Sequence, residues 1–153
     1  MPLVQHETEA MSTTFKELAE LYWPGPLTLV TPANLAKIPM LITANTGMIG
    51  IRVPQHEVAK KLLEVSKLPI AAPSANKFGH VSPTRPEHVY KDFHADSEVL
   101  ILDGGQCSFG IESTVLKITD KELLVIRKGG VSMQSLEANL GKLSHKFTIG
   151  HLG

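Results

Sequence analysis

Hydrophobic and polar positions along this chain of 153 residues follow the periods of both helices and strands. In "STTFKELAELYW", apolar residues recur at helical spacing from Phe15 to Tyr22, and the "PGP" that follows would end such a helix. In contrast, "LPIAAP" is a short, continuously apolar run, which is the pattern of a strand covered on both faces, and "SEVLILDGG" predicts a buried strand closed by two glycines. The chain therefore contains segments typical of both element types.

The remaining segments continue this alternation. Further helices are predicted for "HEVAKKLLEVS", "SPTRPEHVYKDF" and "SMQSLEANLGKL", and further strands for "LTLVTPA" and "MIGIRVP". Thr84 and Glu87 have the spacing of a capping box at the start of the second of these helices. "ESTVLKIT" and "ELLVIRKGG" predict a hairpin, and "SHKFTIGHLG" is expected to be a loosely held tail. The order predicts an α/β domain with a mixed sheet of five or six strands.

Composition narrows the class of protein. The chain is 42% hydrophobic and 20% charged, and its 15 basic and 15 acidic residues give no net charge, so binding of anions requires a local cluster of donors. The single cysteine, Cys107, excludes an internal disulfide and a Cys-rich zinc site, and no two histidines have metal-binding spacing. No apolar run approaches the length of a membrane span, so we expect a cytoplasmic protein.

Polar side chains gather where strands are predicted to end, which is where open α/β sheets bind ligands. They are Arg52, Ser74, Asn76, Ser113, Thr114 and Arg127. A Ser-Ala-Asn turn offers a hydroxyl, an amide and backbone N–H groups to an anionic ligand, but the same residues also close turns locally. Each arginine is equally suited to a structural ion pair and to a carboxylate or phosphate ligand.

Six stretches together resemble one family. "WPGPLTLV", "IGIRVPQHEVA", "PIAAPSANKFGHVSPTRPEHV", "LILDGG", "GIESTV" and "VIRKGG" occur in the order and approximate spacing of the YrdC/Sua5 family, the threonylcarbamoyl-adenylate synthases. The resemblance covers about residues 2–135. It implies an α/β fold, a twisted open mixed sheet with flanking helices around a concave, positively charged cavity. It also implies a YrdC-like domain over residues 1–135, followed by the end of a helix and a tail over residues 136–153.

The resemblance implies that L-threonine, bicarbonate and ATP are joined into threonylcarbamoyl-AMP, with Mg²⁺ accompanying ATP. Partner proteins then transfer the threonylcarbamoyl group to the adenosine at position 37 of tRNA. The alternative is a non-catalytic module of the same fold that binds a nucleotide or double-stranded RNA. The missing Lys-x-Arg motif described below favours this alternative for the isolated chain, whereas the retained site residues favour the enzyme.

The resemblance also implies roles for individual residues. The threonine site would contain His6, Arg52, Ala72 and Ser113, and the nucleotide site would contain Ser74, Asn76, Ser82 and Arg127. No residue is identified as a general acid or base, and none as a metal ligand.

The chain departs from the family at its N-terminus. The family normally begins earlier, with a Lys-x-Arg motif that contacts ATP, and this motif is absent here. We therefore expect an N-terminally truncated family member with little or no synthase activity. The loss of strands would leave an unpaired sheet edge, so we also expect the chain to form a homo-oligomer.

Overall fold

The computed structural model describes residues 13–108, 110–119 and 122–151. Within these ranges the chain forms four helices and five strands. The helices are α1 (Thr13–Tyr22), α2 (Glu57–Ser66), α3 (Pro86–Phe93) and α4 (Met133–Leu140). The strands are β1 (Leu27–Pro32), β2 (Met48–Ile51), β3 (Thr114–Ile118), β4 (Glu122–Arg127) and β5 (Thr148–His151).

The five strands form one open mixed sheet in the order β2-β1-β3-β4-β5. β1 is antiparallel to β2 and parallel to β3, the hairpin strands β3 and β4 are antiparallel, and β4 is parallel to β5. The predicted α/β class with an open mixed sheet is confirmed, and so is the predicted hairpin.

One face of the sheet carries the hydrophobic core. Alternate strand residues, including Leu29, Leu116 and Leu123, are buried together with Phe15 of α1 and Leu136 of α4. The intervening positions point to the other face because side chains alternate along a strand. On that second face lie half-buried residues of the two central strands, namely Thr28, Val30, Val115 and Lys117.

The described chain divides into two compact units. The first unit comprises residues 13–69 and 111–151 and contains the whole sheet with α1, α2 and α4. The second unit comprises residues 70–110 and contains α3. The predicted boundary at residue 135 remains a prediction.

Four local predictions are wrong. Residues 68–73 and 97–105 form no strand, and Leu100 within the second run is 90% exposed, because no strand of the described residues pairs with either run. The expected tail instead contains β5, which pairs with β4. Helix α3 begins after Arg85, with no side-chain cap, so the Thr84–Glu87 box does not form.

Within the described ranges, none of the helices has the combination of length and hydrophobicity that a membrane span requires.

Candidate functional site

Several predicted site residues of the first unit meet at one edge of the sheet. The strand registers pair Leu29 with Ile51, Leu27 with Thr114, and Val115 with Arg127. The end of β2, the starts of β1 and β3 and the end of β4 therefore lie side by side. Consequently Arg52, which follows β2, Ser113, which precedes β3, and Arg127, which ends β4, lie along the same edge.

Arg127 is bound to the segment that enters β3. Its Nε donates to the backbone oxygen of Ser113 at 3.1 Å, and its Nη2 donates to Ser113 Oγ at 3.1 Å. Its Nη1 donates to the carboxylate of Glu112 in an ion pair. A guanidinium group has five N–H donors, so one N–H on each terminal nitrogen is left for a ligand.

Ser113 is buried, with 6% exposure, and its hydroxyl has a second partner. Thr28 Oγ1 of β1 lies 2.8 Å from Ser113 Oγ. Sequence reasoning missed Thr28, which it treated only as a strand residue. The available signal was a hydroxyl on the half-buried face of β1, but only the pairing of β1 with β3 brings Thr28 beside Ser113.

The loop after β4 fixes the position of this segment. Gly130 N–H donates to Glu112 O at 2.9 Å, and Thr114 Oγ1 both donates to and accepts from the backbone of Val131. A Cβ atom on Gly129 would overlap the carbonyl oxygen of Glu112 and lie 2.6 Å from Thr114 N. The glycine therefore allows two backbones to pack closely beside Ser113.

We expect Gly129→Ala to destabilise the fold by about 1–3 kcal/mol, because the added methyl group pushes the loop away from the Glu112 backbone. Urea titration of the free energy of unfolding measures this cost. Gly141→Ala is the matched control, since a Cβ at Gly141 meets nothing within 4 Å and its φ is −66°. Equal stability of the two variants would contradict the close packing.

Arg52 differs from Arg127 in its surroundings. It is exposed, and no described residue forms a hydrogen bond or an ion pair with its guanidinium group. The antiparallel register, continued by one residue beyond Ile51, places Arg52 beside Thr28 on the half-exposed face. An exposed guanidinium group, which is planar and always charged, is suited to bidentate binding of a carboxylate or phosphate.

In the second unit, Asn76 organises the loop that follows Ser74. Its Nδ2 donates to Lys77 O at 3.0 Å and to His80 O at 2.9 Å, and its backbone N–H donates to Ser74 O. Both amide protons are thereby used within the loop. The Oδ1 atom is buried and has no hydrogen-bond partner among the described residues, so in this arrangement Asn76 offers a ligand an acceptor only.

Asp92 of α3 holds the same loop from the other side. Its Oδ2 accepts from Lys77 N–H at 3.0 Å, and its Oδ1 lies 2.9 Å from His80 Nδ1. The Lys77 backbone hydrogen bond, supported by His80, lowers the pKa of the Asp92 carboxyl below its ordinary value of 3.8. The carboxylate is therefore a fixed anchor between α3 and the loop.

We expect the loop over residues 77–80 to loosen in acid. A lowered pKa means that the carboxylate contributes stability above the unfolded value of 3.8, and this contribution is lost as the pH falls through the lower folded pKa. The chemical shift and hydrogen exchange of the Lys77 amide measure the change. Asp92→Asn should loosen the loop at neutral pH, whereas Glu87→Gln on the same helix should not. A Lys77 amide that is insensitive to Asp92→Asn would contradict this anchor.

The other predicted site residues differ in their surroundings. Ala72 and Ser74 are exposed, Ser82 is half-buried, and all three belong to the second unit with Asn76. His6 lies outside the described residues.

A cavity of about 520 Å³ in the second unit includes none of the predicted site residues in its lining, which consists of Lys77, Asp92, Phe93, Ala95, Asp96, Ser97 and Glu98.

Comparisons with known proteins agree with the fold. Residues 3–129 match the family model Sua5/YciO/YrdC, described as "Telomere recombination". A threonylcarbamoyl-AMP synthase of Pyrococcus abyssi is 40% identical over 93% of this chain and 44% of its own length. The Bacillus subtilis threonylcarbamoyl-AMP synthase is 41% identical over 84% of this chain and 37% of its own length. The chain thus spans less than half the length of these relatives.

Solved structures are also similar. P. abyssi Sua5 in complex with L-threonine superposes with a TM-score of 0.86 at 36% identity, covering 97% of this chain and 42% of that protein. E. coli YciO superposes with a TM-score of 0.71 at 21% identity, covering 88% of this chain and 64% of that protein, which supports the fold alone.

Proposed function

Because the chain belongs to the Sua5/YciO/YrdC family, we propose that it takes part in the synthesis of threonylcarbamoyl-AMP from L-threonine, bicarbonate and ATP. The observation that carries this proposal is the exposed Arg52, which has no partner among the described residues, in a chain similar to a protein solved with L-threonine bound. The product would serve the modification of adenosine 37 in tRNA, in the cytoplasm, through proteins that transfer the threonylcarbamoyl group.

On the threonine side, Arg52 would bind the carboxylate through its planar fork. Ser113, held by Arg127, would support this site, and we assign His6 and Ala72 to it as well. Binding by fixed donors is the main requirement, because positioning and neutralisation of charge promote an adenylation more than a protein nucleophile does.

On the nucleotide side, we assign Ser74, Asn76, Ser82 and Arg127. Arg127 keeps two N–H donors for phosphate oxygens after its bonds to Glu112 and Ser113. The Asn76 amide protons are already used by the loop, so its contribution would be the shape of that loop. The role of Asn76 would then be to present Ser74 and the backbone donors around it.

Mg²⁺ would accompany ATP. Among the described residues no group of three His, Cys, Asp or Glu side chains could hold a metal ion. We propose that phosphates and water hold this metal ion, as is usual for Mg²⁺ with nucleotides.

The test is product formation by the purified chain. With L-threonine, ATP, Mg²⁺ and radiolabelled bicarbonate, we expect labelled threonylcarbamoyl-AMP and pyrophosphate to form slowly, in agreement with the missing Lys-x-Arg motif, and to depend on all three substrates. The measurement is chromatographic separation of the labelled product, with each substrate omitted in turn. A chain that binds ATP or double-stranded RNA but forms no product would instead support the non-catalytic module. A chain that binds none of these ligands would refute both functions.

A further inference from the structure

Three groups in the first unit form a continuous chain of hydrogen bonds. Arg127 Nη2 bonds to Ser113 Oγ, and Ser113 Oγ lies 2.8 Å from Thr28 Oγ1. We call Arg127, Ser113 and Thr28 together the hydroxyl chain. Guanidinium can only donate, so one lone pair of Ser113 Oγ is always occupied by the arginine proton. The direction of the remaining bond decides which hydroxyl is available to a ligand.

Two arrangements of protons satisfy this geometry. If Thr28 donates to Ser113, the free hydroxyl proton belongs to Ser113. If Ser113 donates to Thr28, the free proton belongs to Thr28. In either case the hydroxyl chain has one uncommitted O–H donor, polarised by the positive charge of Arg127 at its other end.

Exposure favours the second arrangement. Ser113 is buried, at 6% exposure, whereas Thr28 is half-buried on the open face of the sheet. A ligand therefore reaches the Thr28 hydroxyl more readily than that of Ser113. The strand register also places Arg52, which no described residue pairs with, beside Thr28 on that face.

We infer that Thr28 is the hydroxyl that contacts the ligand, that it donates to a carboxylate bound by Arg52, and that Ser113 and Arg127 position it. This inference rests on the proposed threonine site and adds a residue to it. Ser113 becomes a positioning residue, and the ligand class is a small carboxylate. No covalent step is involved, because the site holds the ligand only through hydrogen bonds and charge.

The experiment measures binding of two probes, L-threonine and sodium acetate, by chemical-shift titration of the chain and its variants. Thr28→Val removes the hydroxyl and keeps the shape, and Thr28→Ser restores the hydroxyl. We expect Thr28→Val to weaken the binding of both probes by about tenfold or more. The affinity of Thr28→Ser for each probe should stay within about threefold of the wild-type affinity. Ser113→Ala should lose less affinity than Thr28→Val, because the Thr28 hydroxyl can still donate to the bound carboxylate.

Folding is checked by circular dichroism, and Thr28→Ala replaces Thr28→Val if the valine variant does not fold. Wild-type affinity in Thr28→Val, or a larger loss in Ser113→Ala than in Thr28→Val, would overturn the role of Thr28 while leaving the threonine proposal intact. Acetate binding that depends on Thr28, without threonine binding, would support the hydroxyl chain and overturn the proposed substrate. Absence of binding by either probe to wild type would overturn both.

Discussion

Arg52→Ala is expected to weaken the binding of L-threonine by about ten- to a hundredfold, because hydrogen bonds to charged groups contribute about 1.5–3 kcal/mol. Arg52 is exposed and has no hydrogen bond or ion pair among the described residues, so its removal breaks no polar interaction in that part of the chain. The loss should therefore appear in affinity and leave the thermal midpoint of unfolding unchanged. Calorimetric titration of L-threonine into wild type and variant measures it.

Two control variants distinguish the bidentate geometry of the Arg52 guanidinium group from the effect of its positive charge. Arg52→Lys should recover only part of the affinity, since an ammonium group cannot bind a carboxylate through two parallel bonds. Arg85→Ala removes another exposed arginine, which donates to Gln106 in the second unit, and should leave the affinity unchanged. Equal threonine affinity in wild type, Arg52→Ala and Arg52→Lys would show that Arg52 does not bind the substrate.

Thr114→Val is expected to lower the free energy of unfolding by about 2–4 kcal/mol, because a buried polar group left without a partner costs about 1–3 kcal/mol. Thr114 is fully buried, and its hydroxyl bonds to both the N–H and the carbonyl oxygen of Val131, at 3.0 and 2.8 Å. Valine has the same shape but no hydroxyl, so the backbone N–H and carbonyl oxygen of Val131 would both lose their hydrogen-bond partner. Urea titration followed by tryptophan fluorescence measures the change.

Thr114→Ser is the matched variant, because it keeps the hydroxyl and loses only a methyl group. We expect it to retain most of the stability that Thr114→Val loses. The loop after β4 also positions Ser113, so Thr114→Val should disturb the amide signals of Gly129 and Gly130. A valine variant as stable as the serine variant would mean that water or a shifted backbone forms the hydrogen bonds of the Val131 N–H and carbonyl groups.

The sequence by itself determined the elements whose periodicity is strong and whose partners are close along the chain. Helix α1 follows from its apolar face and the proline that ends it, and the β3–β4 hairpin follows from two β-rich runs joined by a short turn. Arg52 was also identified from sequence as a polar residue at a strand end, which is where the structure has it. These features depend on local chemistry, which a sequence displays directly.

The tertiary structure alone decided which apolar runs become strands and which hydroxyls meet. Residues 68–73 are far more apolar than residues 148–151, in which Ile149 is the only large apolar residue, but only the second range finds a neighbour to bond, in β4. Thr28 and Ser113 are far apart in sequence and meet because β1 and β3 are parallel neighbours. Strand pairing joins residues across long separations, and a sequence pattern specifies the faces of a strand but not its partner.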